Sequence, residues 1–219
     1  MAGYPIVLEL IGRRVVVVGL GDVGRRKASG LVEAGAVVLA VDPIGEGDRP
    51  IPGVLTVAEP YRPEHLDGAI LAFASATPQV NRRVVDDARR FGVPVNSSSE
   101  PGSGDFSIPA VWRDGPILLA LSTSGAGPAL ASTLRDRAAR AIGPEAGGLA
   151  ALLAELRPAV LSSIPDEHVR RLLFRSWSDP RWLDRWKAEG PEAVRSALRA
   201  TIDVATTRLP PGTDDDPPP

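Results

Sequence analysis

The stretch Val15-Val16-Val17-Val18-Gly19-Leu20-Gly21-Asp22-Val23-Gly24 decides the fold. Four consecutive β-branched residues, with no polar alternation, suit a strand buried on both faces of a parallel sheet. The glycines that follow stand at G-x-G-x-x-G spacing. A helical pattern then runs over 24–34 and stops at Gly35, which suits the left-handed position past a helix end. In a strand–turn–helix each glycine has its own task. Gly19 permits the tight turn, Gly21 lets the backbone approach a pyrophosphate, and Gly24 lets the helix pack closely on the sheet. The first helical turn, with Asp22 and Val23, offers free N–H groups and the positive end of the helix dipole to phosphates. A second strand, 36–41, leads to Asp42. A carboxylate there hydrogen-bonds a ribose 2′-OH and repels a 2′-phosphate, which favours NAD over NADP as cofactor. Arg25, Arg26 and Lys27 follow at once, although cations oppose the dipole at a helix start. A bound anion would offset that conflict; a solvated basic face accounts for the run equally well.

Working outward, β-rich runs at 54–58, 69–73 and 92–96 surround a helical stretch at 78–90, where Val80, Val84 and Ala88 share a stripe. The rhythm predicts an α/β fold with a Rossmann-like, doubly wound parallel sheet. The segment PIGEGDRPIPG at 43–53 must be loop. Past Asn96 the chain changes character. NSSSEPGSGD is a polar, glycine-rich loop, and 106–112 and 116–121 read as strands joined at Arg113-Asp114-Gly115 into an antiparallel hairpin. STSGAGP at 122–128 is a second small-residue loop. It lacks the lysine of a P-loop, so an NTPase is not expected, and Ser122, Thr123 and Ser124 are expected to line a cleft. From Pro128 the pattern is helical, with breaks at Gly143-Pro144, Pro165, Pro180 and Gly190-Pro191. The closing GTDDDPPP is expected to be a disordered acidic tail.

Composition narrows the function. The 219 residues are 43% apolar and 24% charged, with a formal net charge of -2. No global positive field exists to hold nucleic acid or an anionic membrane, so any anion site is local. With no cysteine, disulfides, thiolate metal sites and cysteine nucleophiles are excluded. His65 and His168 are far apart, so no metal centre is expected; both read as exposed residues, His65 in a loop and His168 on a helix. Trp177, Trp182 and Trp186 fall at roughly helical spacing and are expected in a helical core. No apolar run reaches the roughly 20 residues that span a bilayer, and the N-terminus lacks signal-peptide features, so the expected location is cytoplasmic.

The segment GRRVVVVGLGDVGRRKASGLVEAGA resembles the opening of siroheme synthase-type precorrin-2 dehydrogenases. Ala74-Ser75-Ala76-Thr77 with Val80-Asn81 is similar to that family's A-A-T-x-x-x-x-V-N segment, Val95-Asn96 to its N-V-V-D strand, and Phe106 to Ala110 to its F-x-x-P-A/S segment. Ser122 to Pro128, with Leu130 and Leu134-Arg135, resembles S-T-x-G-x-S-P-x-L-A-x-x-L-R. The resemblance implies NAD-dependent oxidation of precorrin-2 to sirohydrochlorin, with iron insertion to siroheme in some members. It implies a dinucleotide domain over 1–112, a segment at 113–145 that builds a homodimer, a helical domain at 146–208 and a tail at 209–219. Thr77 would then lie at the cofactor. Asn96, Arg113, Ser122, Thr123, Ser124 and Arg135 would meet the tetrapyrrole, whose carboxylates suit arginines; Arg137 is a further candidate.

One position departs from the pattern. The family's loop after N-V-V carries a catalytic aspartate, and alignment from Asn96 puts Ser99 there. A serine has no accessible basic pKa, and the nearby carboxylates are Glu100 and Asp105. Three expectations therefore stand side by side: a shifted catalytic carboxylate, a dehydrogenase that needs none there, or a non-redox tetrapyrrole-binding protein or chelatase on the same scaffold.

Overall fold

The computed structural model describes residues 3–47, 49–99 and 102–207. These residues group into two units, 3–108 with 124–126, and 109–123 with 127–207.

The first unit holds the parallel sheet. Its strands are β1 (Arg14–Val18), β2 (Val37–Val41), β3 (Val54–Val57), β4 (Leu71–Ala74) and β5 (Val95–Ser97), in the spatial order β3-β2-β1-β4-β5. Val16 pairs with Leu39 on one side and Ala72 on the other, which puts β1 at the centre. Side chains alternate across the pleat. Val15, Val17, Val38, Ala40 and Phe73 therefore pack with Ala28 and Leu31 of helix α1 (Asp22–Glu33). Val16, Val18, Val41 and Ala72 pack with Val84, Val85 and Ala88 of helix α2 (Pro78–Phe91). Both faces of β1 are filled, which is why its sequence shows no polar alternation. Gly35 and Gly92 sit just past α1 and α2 with φ of 79° and 67°, conformations that suit glycine. Strand β5 begins at Val95, later than the pattern predicts, because Gly92 caps a helix and Pro94 has no N–H to pair.

His65 overturns its expectation. It lies in a single 3₁₀ turn (Pro63–Leu66) and is 8% exposed. Its Nδ1 accepts from the Arg62 N–H at 3.0 Å, its Nε2 meets Glu59 at 2.8 Å, and its ring stands against Tyr61. A ring that caps its own turn in this way is withdrawn from solvent.

The second unit opens with a hairpin, β6 (Ala110–Asp114) and β7 (Ile117–Leu121). Asp114 pairs with Ile117, so the turn is Gly115-Pro116, one residue beyond the expected one. Gly115 takes a φ of 53°, as a primed two-residue turn with glycine first requires. Helices α3 (Pro128–Ile142), α4 (Ala146–Ser163), α5 (Glu167–Trp177), α6 (Arg181–Glu189) and α7 (Pro191–Thr207) follow, broken at each predicted glycine or proline. The Asp114 carboxylate accepts from the Gly147 N–H at 2.9 Å, capping the start of α4. Leu149, Leu152, Leu156 and Val160 of α4 pack against Trp177, Trp182, Val194 and Leu198. Trp177 and Trp182 have their indole N–H groups bonded, to Thr201 at 2.9 Å and to the Ser176 carbonyl at 3.0 Å, so they are core residues. Residues 209–219, expected as a tail, lie outside the described residues. Among the described residues, no helix is long and apolar enough to cross a membrane.

Candidate functional site

The three glycines after β1 are not equivalent. Gly19 has a φ of 95°, and a Cβ there would lie 2.6 Å from the Ala76 nitrogen and the Ser75 carbonyl. A Cβ on Gly24 would lie 1.9 Å from the Gly19 carbonyl oxygen. Packing within the protein therefore demands both. Gly21 is different: nothing stands within 4 Å of its missing Cβ, and its φ of -65° is ordinary. It is the N-cap of α1 and makes no side-chain cap. The space over Gly21, at the start of α1, is thus open, and the first-turn N–H groups around Asp22 and Val23 are the ones a diphosphate would use.

Two of the cations behind this turn, Arg25 and Lys27, find partners inside the protein. The Arg25 guanidinium donates to the Glu46 and Arg49 carbonyls and straps the 43–53 loop. Arg49 pairs loosely with Asp22 at 3.8 Å. Lys27 turns toward the ends of β4 and β5, which leaves Arg26 exposed.

Asp42 stitches the glycine turn to the end of β2. One carboxylate oxygen accepts from the Leu20 N–H at 2.7 Å, the other from the Ile44 N–H at 2.9 Å. A carboxylate has about four acceptor positions, so capacity remains for ribose hydroxyls.

The ends of β4 and β5 form the other half of the crevice. Thr77 is the N-cap of α2 and accepts from the Val80 N–H at 3.5 Å. Asn81 is 1% exposed: it accepts from the Ala76 N–H at 2.8 Å and donates to Ser99 Oγ at 2.7 Å. This asparagine pins the turn after β4 to the loop after β5, a role that only its place in the V-N segment hints at.

Lys27 is the hub. Its Nζ donates to Asn96 Oδ1 at 2.7 Å, Ser98 Oγ at 2.6 Å and Ser75 Oγ at 3.1 Å, and it stands 5.6 Å from the Phe73 ring centre. Burial, with the Arg26 charge as a lesser cause, lowers its pKa to about 8. Asn96, expected to meet substrate, is buried; its Nδ2 donates to the Phe106 carbonyl at 2.8 Å while Oδ1 serves Lys27. Both ends of the amide are spent on the protein, so it acts as an internal strut.

The catalytic candidates separate. Ser99, with Arg82, Asp86, Arg89, Ser97 and Ser103, lines a cleft of ≈ 210 Å³. Glu100 lies outside the described residues. Asp105 sits at the first residue of β5, the opposite end from the crevice: its Oδ2 accepts from the Val95 N–H at 2.9 Å and its own N–H donates to the Val95 carbonyl at 2.7 Å. That is a backbone clamp, not a base poised over a ligand.

Arg113, Ser122, Thr123 and Arg135 belong to the second unit, and Ser124 groups with the first. Arg113 is exposed. Arg135 pairs with Asp136 at 2.6 Å and reaches the Val111 carbonyl at 3.4 Å, bracing the hairpin. Thr123 Oγ1 bonds both the N–H and the carbonyl of Gly127, and Ser124 holds a φ of 52°, so the loop between them is a tightly tied turn.

The putative NAD(P)-binding family matches residues 6–110. The siroheme synthase of Methylobacillus flagellatus is 34% identical over 189 residues, 82% of this chain and 39% of that protein. That of Methylococcus capsulatus is 36% identical over 214 residues, 94% of this chain and 45% of that protein. The chain thus spans less than half the length of these curated relatives. Among solved structures, SirC, a precorrin-2 dehydrogenase, superposes with a TM-score of 0.71 at 20% identity, covering 92% of this chain and all of that one, and so shares its fold. Over the stretch it has in common with these relatives, the chain belongs to the siroheme synthase-type family.

Proposed function

We propose that this chain is an NAD-dependent dehydrogenase that oxidises precorrin-2 to sirohydrochlorin on the way to siroheme. The observation that carries the reading is the open cradle at Gly21, beside uncapped helix N–H groups and the Asp42 carboxylate. The names of the relatives, siroheme synthases and a precorrin-2 dehydrogenase, supply the substrate. The N–H groups of the glycine turn hold the diphosphate, and Asp42 holds the adenosine ribose, which a 2′-phosphate could not approach. NAD supplies the hydride acceptor; the chain binds, orients and excludes water. The nicotinamide half then lies toward Thr77 and the ends of β4 and β5, as in other open α/β sheets. Arg113 and Arg135, with Ser122, Thr123 and Ser124, are the residues proposed to grip the carboxylate rim of the macrocycle.

The same proposal makes the protein a cytoplasmic homodimer. A two-stranded hairpin is marginal by itself. Helix α3 buries only Ala131 while Leu130 and Leu134 are 53% and 37% exposed, an apolar stripe suited to a second copy. Ferrous iron would be the second substrate of any chelation step. The test is turnover: purified protein with precorrin-2 and NAD should form NADH and sirohydrochlorin, run as a dimer in light scattering, and bind NAD more tightly than NADP. NAD binding without reduction would overturn the reaction, and siroheme formation with added iron reads out chelation in the same preparation.

A further inference from the structure

The oxidation proposed above releases a proton as well as a hydride, and the family's carboxylate position is Ser99. Asp105 is a clamp at the wrong end of β5. Among the described residues, which do not include Glu100, the group that does lie at the crevice end of β4 and β5 is the Lys27 cluster. Of the chain's 25 basic side chains only two are lysines, Lys27 and Lys187. An arginine could carry the charge and the hydrogen bonds, but it cannot lose a proton in a protein.

The partners of Lys27 suit either protonation state. As an ammonium it has three donors and meets three acceptors: Asn96 Oδ1, Ser98 Oγ and Ser75 Oγ. As an amine it keeps two donors, for Asn96 and Ser75, and gains a lone pair. Ser98 can then reverse its role and donate to that lone pair, because a hydroxyl is both donor and acceptor. No carboxylate is among the described groups that contact the amine. Phe73 and Ser75 face it from β4 and the residue after it, Asn96 and Ser98 from β5 and the residue after it, and Arg26 is the charge acting on it from its own helix. Ser98 is exposed, fixed by its own N–H to the Ala74 carbonyl at 2.9 Å, and stands 3.1 Å from Ser75 Oγ. It is the outlet of the cluster.

Resting on the dehydrogenase reading, we propose that Lys27, acting through the Ser98 hydroxyl, is the proton acceptor of the oxidation. The substrate loses a hydride from carbon to NAD and a proton to Ser98 Oγ, and the electron pair of the broken bond to hydrogen becomes the new ring double bond. As Ser98 takes that proton, its own passes to the Lys27 amine. The ammonium then returns the proton to solvent. Lysines lowered to about 7–8 match this task near neutral pH.

The experiment has a readout that does not depend on turnover. Competitive acylation followed by mass spectrometry measures the titration of Lys27 against Lys187 in the same chain. Lys27 should titrate near 8, and Lys187 should serve as the internal reference. Turnover of precorrin-2 should rise with pH through the same midpoint. Lys27→Arg should keep the melting temperature and NAD affinity, lose that pH limb, and fall about 100-fold in kcat, the lower bound for a general base. Lys27→Ala should regain rate with added methylamine, which a merely structural lysine would not allow. Ser98→Ala should lower kcat with KM unchanged. Lys27→Arg turning over within threefold of wild type, or a Lys27 that titrates with Lys187, overturns the assignment while the dehydrogenase stands. A wild-type protein that binds NAD and never oxidises precorrin-2 overturns both.

Discussion

The two ends of one parallel sheet use polar groups in opposite ways. At the amino end most are consumed in holding backbone; the buried Arg14 Nε, which has no hydrogen-bond partner among the described residues, is the exception. Arg14 donates to the His65 carbonyl at 3.3 Å, His65 caps its own turn, and Asp105 pairs with Val95 in both directions. At the carboxyl end some are left open. The first turn of α1 has no side-chain cap, the space over Gly21 is clear, and Ser98, though its hydroxyl is bonded to Lys27, is an exposed residue. Hydrogen-bond capacity alone does not mark a site; unspent capacity at the carboxyl edge does, where open α/β sheets bind their ligands.

The glycine turn gives the sharpest way to break this comparison, because it holds both kinds of position. Gly24→Ala puts a carbon 1.9 Å from the Gly19 carbonyl, so backbone must move. The expected cost is about 3 kcal/mol or more, a fall in Tm of about 6–12 °C by calorimetry. Gly21→Asp meets nothing in the folded protein and should leave Tm within about 2 °C. It sets bulk and negative charge where the diphosphate is proposed to lie, so NAD affinity by calorimetric titration should fall about 100-fold or more. A Gly21→Asp protein that melts early or binds NAD normally would erase the distinction between packed and open glycines.

Legibility follows the same division. The central strand, the glycine turn and every helix break of the second unit were readable because backbone rules write them locally: β-branched runs, positive φ, prolines without N–H groups. The Lys27 cluster was not, because its members come from α1, β4 and β5 and only the tertiary fold gathers them. The sequence placed Lys27 with Arg25 and Arg26 as one basic run, yet the three side chains go to different places. Asn96 and His65 were misjudged for a related reason. A polar residue type says that hydrogen bonds will be made, not whether the partner is protein, water or ligand.

Asp105→Ala sharpens the comparison from the amino end. It removes the acceptor for the Val95 N–H at the start of β5. A lost hydrogen bond at a partly open site costs about 1–2 kcal/mol, or a Tm lower by about 3–6 °C. Turnover should stay within threefold of wild type, as a clamp remote from the crevice requires. A hundredfold loss of kcat with Tm unchanged would restore Asp105 as the base and remove the reason to look to Lys27.

The smallest effect belongs to Tyr61, also at the amino end. Its hydroxyl donates to Asp87 Oδ2 at 3.3 Å, and Asp87 keeps a second partner in Arg90 at 3.2 Å. Tyr61→Phe should therefore cost only about 1 kcal/mol at pH 8, or about 2–4 °C. The sign of its pH dependence is fixed. Burial first, then the Asp87 charge, pushes the phenol well above its ordinary pKa. The unfolded chain ionises near pH 10 while the folded one holds its proton, so this stabilisation is complete below about pH 10 and is lost as pH rises past it. Urea melts at pH 8 and above pH 10 should show the advantage of wild type over Tyr61→Phe shrinking and then reversing. An advantage that grows with pH would mean that the phenolate is welcome there. The amino end would then hold open polar capacity of its own, and the contrast between the two ends of the sheet would fail.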